Sequence, residues 1–411
     1  MNAPANRTHE HCRAWVEAGH EVHVVTCVPS HPAGKPFAGY RMGWYQRETT
    51  DGIHIHRVWT YLAANRGVAR RVANFLSFVP TAVLRALRLG RFDVVIGTSP
   101  QFFCAMAAGI VASLRRTPWV FELRDLWPES IPAVGAIGPS RALHLLEKLE
   151  LHLYRKAAAV VCVTEAFIEN LRRRGIDPGK LHFVPNGIVP AAWEGGARDE
   201  CRARFGLAPD DIAVSYIGTL GMAHGLGTTL EAAHRLRGTN ARFLIIGDGA
   251  ERAALEARAK AKRLSNVTFT GLLPREAIAH LMAATDIALV TLKPSETFKT
   301  VLPSKMFEAM AAKKPIVLAV DGEARRVLER SGGGVAVPPG DPDALADAVR
   351  ALAAEPARRE WLGASGRAFV RREFDRAAWA ARYLDILHAL VNPEPQEVGR
   401  RALAAAGRKQ A

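Results

Sequence analysis

A chain of 411 residues, with 49% hydrophobic and 23% charged residues, is globular and longer than one ordinary hydrophobic core supports. No uncharged apolar run reaches the roughly 18 residues of a membrane span, and charges interrupt every apolar run near the N-terminus, so neither a spanning helix nor a signal peptide is expected. The formal net charge is +15, and the five cysteines (Cys12, Cys27, Cys104, Cys162, Cys201) are odd in number and lack CxxC spacing. That argues against a disulfide framework or zinc site and for a reducing cytoplasm. Residues 1–190 hold 23 Lys and Arg against 14 Asp and Glu, and the remainder 32 against 26, so the first half is the more basic. Such a surface attracts phosphorylated substrates, anionic lipid or nucleic acid, although no nucleic-acid motif is present and no such partner is expected.

Short β-branched strands alternate with helix-length segments, which predicts an α/β chain with parallel sheets buried on both faces. A helix from Pro4 to roughly Gly19 comes first, then strands at Val22–Thr26, Ile53–Val58, Val94–Gly97, Trp119–Leu123 and Val160–Thr164. Both periodicities lapse from Asn186 to Gly196, a linker signal that places the boundary near residue 190. A second series follows at Ile212–Gly218, Phe243–Gly247, Val267–Thr270, Ile287–Leu292, Ile316–Val320 and Val335–Val337, then helices at Asp343–Ala354, Pro356–Phe374 and Ala377–Leu390. The division is therefore a domain over 1–190, a domain over 191–376, a helix at 377–390 returning across the domains, and a tail at 391–411. Ligands in such folds sit at the carboxyl ends of strands, which points to the cleft between the domains. A doubly wound domain should open with a strand and a glycine turn; neither precedes the first helix, so a short upstream strand is expected to be missing.

Several segments carry chemistry. Pro303-Ser304-Lys305-Met306-Phe307-Glu308 reads as a helix start with Pro303 in the first turn and Lys305 and Glu308 on one face. A lysine and free backbone N–H groups suit phosphate oxygens, and a carboxylate suits ribose hydroxyls; the alternative is a surface ion pair. Gly247-Asp248-Gly249 is either a nucleotide cradle or an ordinary turn, and neither it nor Gly225-Leu226-Gly227 completes GxGxxG. Asp341-Pro342-Asp343 is formally DxD but reads as a helix cap, so no metal or other cofactor is expected. Arg66, Arg70, Arg71, Arg85, Arg88 and Arg91 surround an apolar segment with Phe75, Leu76, Val79 and Leu84, a pattern suited to the inner membrane surface or to an ordinary domain helix.

In this order, Ala18-Gly19-His20-Glu21-Val22, Val184-Pro185-Asn186-Gly187-Ile188, Ile217-Gly218-Thr219-Leu220, Ile246-Gly247-Asp248-Gly249, Ala284-Thr285-Asp286-Ile287 and the Pro303–Pro315 block resemble the family 4 retaining glycosyltransferases of GT-B fold over nearly the whole chain. Asn2–Glu10, Pro29–Lys35 and Glu122–Glu129 resemble the O-antigen and capsule subgroup that includes the N-acetyl-L-fucosamine transferase. The resemblance implies two Rossmann-like domains, a nucleoside diphosphate sugar donor held by the second, and a lipid-linked or growing glycan acceptor met by the first. It also implies transfer with retention; the cysteine usage and the basic apolar segment add the expectation of a cytoplasmic enzyme that can sit on the inner membrane.

The family usually has two glutamates separated by seven residues; Glu308 matches the second, while Thr300 stands where the first belongs. Where relatives often carry an arginine and a lysine around the first glycine loop of the second domain, this chain has Thr219 and His224, which leaves Lys305 as the expected diphosphate cation. The expected donor site is Lys305, Glu308, Ser304, Pro303, Gly218, Thr219, His224, Gly247 and Gly249. For the transfer itself the expected residues are Asp125 or Glu129 at the acceptor hydroxyl, Arg124 balancing charge, and His9 for acid–base work or as a half-buried helix residue. Two rivals remain: a nucleotide-sugar 2-epimerase of the same architecture, and a donor-binding protein whose chemistry has degraded.

Overall fold

The computed structural model describes residues 3–30, 34–63, 68–126, 141–193, 195 and 198–392. They form two compact units. The first contains the described residues up to 126, then 141–184 and 377–392; the second contains 185–376.

The first unit runs α1 (Ala3–Glu17), β1 (His23–Thr26), β2 (Tyr45–Thr50), β3 (Ile53–Val58), α2 (Val68–Arg88), β4 (Val95–Thr98), α3 (Phe102–Arg115), β5 (Trp119–Leu123), α4 (Arg141–Lys156), β6 (Ala159–Cys162), α5 (Glu165–Arg173) and β7 (Leu181–Phe183). Its strands form two sheets, ordered β1-β3-β2 and β4-β5-β6-β7. All pairs are parallel except the β2–β3 hairpin. In the doubly wound order a first strand lies between the second and the fourth. Among the described residues no strand joins β1 to β4, so that place in the sheet is unfilled by them. The hairpin strand β2 was not expected. Its sequence, Tyr-Gln-Arg-Glu-Thr-Thr, is polar on both faces because it forms an edge with mostly exposed residues.

The second unit runs α6 (Arg198–Arg204), β8 (Ile212–Ile217), α7 (Leu226–Arg235), β9 (Ala241–Ile246), α8 (Arg252–Ala261), β10 (Val267–Gly271), α9 (Arg275–Ala284), β11 (Ile287–Thr291), α10 (Ser304–Ala311), β12 (Ile316–Ala319), α11 (Glu323–Ser331), β13 (Gly334–Ala336), α12 (Pro342–Ala354) and α13 (Pro356–Glu373). One parallel sheet, β10-β9-β8-β11-β12-β13, carries it. Every residue of β11 and β12 is buried, which is why these strands read as continuous apolar runs rather than alternating ones. Asp341 caps α12 by accepting from the backbone N–H groups of Asp343 and Ala344, both at 3.0 Å, and Asp343 pairs with Arg235. The DxD sequence is thus accounted for by helix capping and a surface pair.

Among the described residues the chain enters the second unit at 185 and leaves it at 376, and these two segments are tied together inside it. Ile188 N–H donates to Phe374 O at 2.8 Å, and Arg376 N–H to Ile188 O at 2.9 Å. The Arg376 guanidinium donates to Asn186 O and Gly187 O. Gly187 has φ +56°, and a Cβ there would come within 3.1 Å of Phe374 O, so glycine is favoured. The expected linker, Asn186 to Gly196, is bonded at its start. The last helix, α14 (Arg376–Val391), packs in the first unit. There Tyr383 meets Trp15 of α1 edge-on at 5.2 Å, in a cluster with Val120 of β5 and Val161 of β6.

Candidate functional site

In the second unit the expected donor residues gather after the carboxyl ends of parallel strands. Ile217 ends β8, and Gly218-Thr219-Leu220 follows. Lys305, in the first turn of α10, lays its ammonium over the Tyr216 ring, 4.0 Å from the centroid, and donates to the Tyr216 hydroxyl at 2.8 Å. That hydroxyl in turn donates to Thr219 O at 2.8 Å. Burial pushes the Lys305 amine down from 10.5 to about 7, and the neighbouring Glu308 carboxylate opposes the shift. Among the described residues Lys305 makes no ion pair. Burial also pushes the Tyr216 hydroxyl far above its usual value, so it stays a neutral phenol.

Gly218 is part of this geometry. Its φ is +148°, and a Cβ there would sit 2.9 Å from the Lys305 Nζ. The absent side chain leaves room for the amine. Pro303 is the N-cap of α10, not a residue of its first turn as the sequence suggested, and it offers no side-chain acceptor. Ser304 therefore begins the helix, and its first turn is left without a side-chain cap. Glu308 lies one turn further on and is half-buried.

His224 contributes from the turn before α7. Its ring lies 6.0 Å from that of Tyr216, and its Nδ1 is buried with no hydrogen-bond partner among the described residues. Burial, and then the Lys305 charge, push it down to about 4, so it is a neutral imidazole near pH 7. Thr291, at the end of β11, donates to His224 O at 2.8 Å and fixes this turn. Thr300, in place of the family's first glutamate, spends its hydroxyl on Thr297 O at 2.7 Å.

Gly247 and Gly249 have a packing role. A Cβ on Gly247 would fall 1.9 Å from Gly218 O, and one on Gly249 2.4 Å from Leu220 O. Leu220 N–H donates to Asp248 O, and Glu251 N–H to Leu220 O. The two glycine loops thus brace each other, and helix α8 begins only at Arg252. Beside them, Gly225-Leu226-Gly227 borders a pocket of 430 Å³ also lined by Glu251, Arg258 and Lys293.

In the first unit, Arg124 and Asp125 follow β5 and are half-buried. Arg124 N–H donates to Ser99 Oγ at 2.9 Å. Just before them Glu122 is buried and paired with buried Arg7 at 3.0 Å. Burial alone would raise the Glu122 carboxyl, but Arg7, then Arg124 and His11, bring it down to about 2. Arg124 thus lies close enough to act on the charge of Glu122. His9 is engaged elsewhere: its Nε2 pairs with Asp51 at 2.8 Å, in the turn that precedes β3. It would have to leave Asp51 to act beside Asp125. Glu129 lies outside the described residues. Sequence reasoning did not single out Tyr216, Arg7 or Glu122; each lies within or beside an apolar or helical stretch, where nothing local marks a distant partner.

Two Rossmann-like units, the second with a cation and an uncapped helix at its strand ends, give the chain the GT-B fold. The glycosyl transferase 4-like domain family matches residues 2–187, and the glycosyl transferases group 1 family matches residues 211–355. The chain is a glycosyltransferase with these two domains in that order. It is 26% identical to the putative colanic acid biosynthesis glycosyl transferase WcaI of Escherichia coli K12, over 82% of this chain and 85% of the relative. It is 28% identical to the probable glycosyltransferase WbjE of Pseudomonas aeruginosa, over 69% and 71%. Among solved structures it is similar in fold to the sucrose-phosphate synthase of Thermosynechococcus elongatus, with TM-score 0.73 and 19% identity over 93% and 92% of the two chains. It is likewise similar to HepE of Anabaena, solved with UDP and glucose, with TM-score 0.70 and 17% identity over 90% and 100%. No helix among the described residues is long and apolar enough to cross a membrane.

Proposed function

We propose that this glycosyltransferase moves a sugar, of the N-acetylated amino or deoxy type, from a nucleoside diphosphate donor to a lipid-linked or growing surface polysaccharide, with retention at the anomeric carbon. The carrying observation is Lys305: a half-buried lysine at the strand ends with a phenol, and no carboxylate among the described residues, at hydrogen-bond distance from its amine. A diphosphate leaving group supplies the missing anion, and the uncapped start of α10 adds backbone donors. Glu308 is assigned to the ribose hydroxyls, and His224, Thr219 and Gly218 to the surroundings of the phosphates. The UDP in the HepE structure supports the nucleotide, and the colanic acid name of one relative supports the polysaccharide. No metal is required by this arrangement, since the cation is a side chain.

In the first unit we assign Asp125 or Glu129 to the acceptor hydroxyl. Helix α2 supports a membrane-facing acceptor: Val72, Leu76 and Leu84 are exposed at four-residue and eight-residue spacing along one row, with Arg71 and Arg88 exposed on the same helix. Vesicles containing anionic lipid should float the protein, and neutral vesicles should not. Failure to float at low salt would remove the membrane contact.

A thermal-shift screen of nucleotide sugars tests the donor, because a bound donor raises apparent stability by mass action. NMR of the product made with that donor then reads the anomeric configuration. An inverted product would contradict retention, and interconversion of donors without an acceptor would favour the epimerase. Asp125→Asn should abolish turnover with donor binding intact.

A further inference from the structure

The first unit carries a cluster of imidazoles outside the expected donor residues. His23 opens β1, and its register partner on the neighbouring parallel strand is His54 near the start of β3. Their rings lie 4.9 Å apart, and Glu21 reaches both: its Oε1 is 2.8 Å from His23 Nε2 and 3.9 Å from His54 Nε2. One ligand atom from each of the three residues lies within 4.8 Å of the others. We propose that Glu21, His23 and His54 form a binding site for a divalent transition metal of the zinc type.

The second observation is how the rings are held. His23 Nδ1 is bonded to His56 Nε2 at 3.0 Å, and His56 Nδ1 to the Tyr45 hydroxyl at 2.9 Å. His54 Nδ1 is bonded to Thr49 Oγ1 at 3.2 Å. Both ligand rings thus have their Nδ1 tied to a neighbour while their Nε2 atoms converge on one carboxylate. Metal-bound histidines are oriented in this way by their second ring nitrogen. Bonds of about 2.0–2.1 Å to a tetrahedral zinc ion place ligand atoms about 3.3 Å apart, between the two distances seen from Glu21. Glu21 is exposed, so rotation of its side chain is enough to equalise them. The two imidazoles and one carboxylate suit zinc or a neighbouring first-row ion rather than magnesium or calcium. Three protein ligands leave a fourth position to water.

Arg47 lies close enough to act on Glu21, and Arg85 bonds the Tyr45 hydroxyl, so the surroundings are not anionic and would not gather cations unselectively. The site sits at the amino ends of β1 and β3, whereas substrate chemistry in such folds is at the carboxyl ends. Its role is to staple β1, only four residues long, to β3.

Calorimetric titration of the full chain with Zn²⁺ tests this. One equivalent should bind with Kd of about 1 µM or tighter, with a raised Tm. Glu21→Gln and His54→Ala should each weaken that equivalent at least tenfold, and Thr49→Val by about tenfold through loss of ring orientation. Glu21 and Thr49 lie at the surface, so those variants read the site even if His54→Ala fails to fold. Donor binding should be unaffected by chelator. Wild-type stoichiometry and affinity in Glu21→Gln, or no zinc binding by the unaltered chain, would leave only a Glu–His pair and overturn the site.

Discussion

Two cations near strand ends, buried Arg7 in the first unit and half-buried Lys305 in the second, are answered differently. In the first unit Arg7 meets the carboxylate of Glu122 and also donates to Val184 O at 2.9 Å. In the second, Lys305 meets a neutral phenol. A buried charge needs compensation. Where the chain supplies it, as at Arg7, the pair belongs to the fold. Where the chain supplies only a hydroxyl and a ring face, as at Lys305, an anion from outside is the proposed partner.

The largest expected effect separates the two on stability. Arg7→Ala leaves the Glu122 carboxylate buried and unpaired and should cost about 3–5 kcal/mol in urea unfolding. Lys305→Met should leave stability unchanged or raise it, because burying that amine is already unfavourable. Equal losses from both would erase the distinction.

The pH dependence should divide them next. The Glu122 carboxyl is held near 2 in the folded chain against 4.5 ordinarily, so the pair's contribution is full above about 4.5 and is lost as pH falls toward 2. Lys305 has the opposite sense. Its amine is depressed from 10.5 to about 7, so its cost is absent above 10.5, grows as pH falls to about 7, and is constant below. A bound diphosphate favours the ammonium, so donor binding should take up a proton above pH 7. The donor Kd should then rise between pH 7 and 9, by at most about tenfold per unit. Calorimetry in two buffers of different ionisation enthalpy reads that proton, and Lys305→Ala should remove it.

The smallest effect sharpens the contrast. Tyr216→Phe keeps the ring under Lys305 but removes its hydroxyl, with a stability loss of about 0.5–1.5 kcal/mol. Donor affinity should shift only a few-fold, since the phosphate and not the phenol is the main partner of the bound amine.

Much of the fold was legible because its strands are buried on both faces; Ile53–Val58 and Trp119–Leu123 fall on the expected residues. The edge strands Tyr45–Thr50 and Leu181–Phe183 were not, because an exposed or three-residue strand carries no apolar run. In the site, Lys305 and Glu308 announced themselves as a charged pair at a helix start. Tyr216 did not, because a tyrosine inside an apolar strand looks like core until the lysine 89 residues later is laid over it. Gly247 and Gly249 read as either a ligand cradle or an ordinary turn, and nothing local showed the close approach of the Gly218 and Leu220 carbonyls. His23 and His54 were read only within separate segments, since nothing local reveals that two strands in register set them side by side.

The most direct measurement is calorimetric titration of the donor-derived nucleoside diphosphate, beginning with UDP, into the full chain and its Lys305→Ala variant at pH 7. A donor-gripping Lys305 predicts a dissociation constant at least tenfold higher in the variant, about 1.4 kcal/mol, with an unchanged circular dichroism spectrum. Equal affinity in the two proteins would contradict the assignment of Lys305 to the diphosphate.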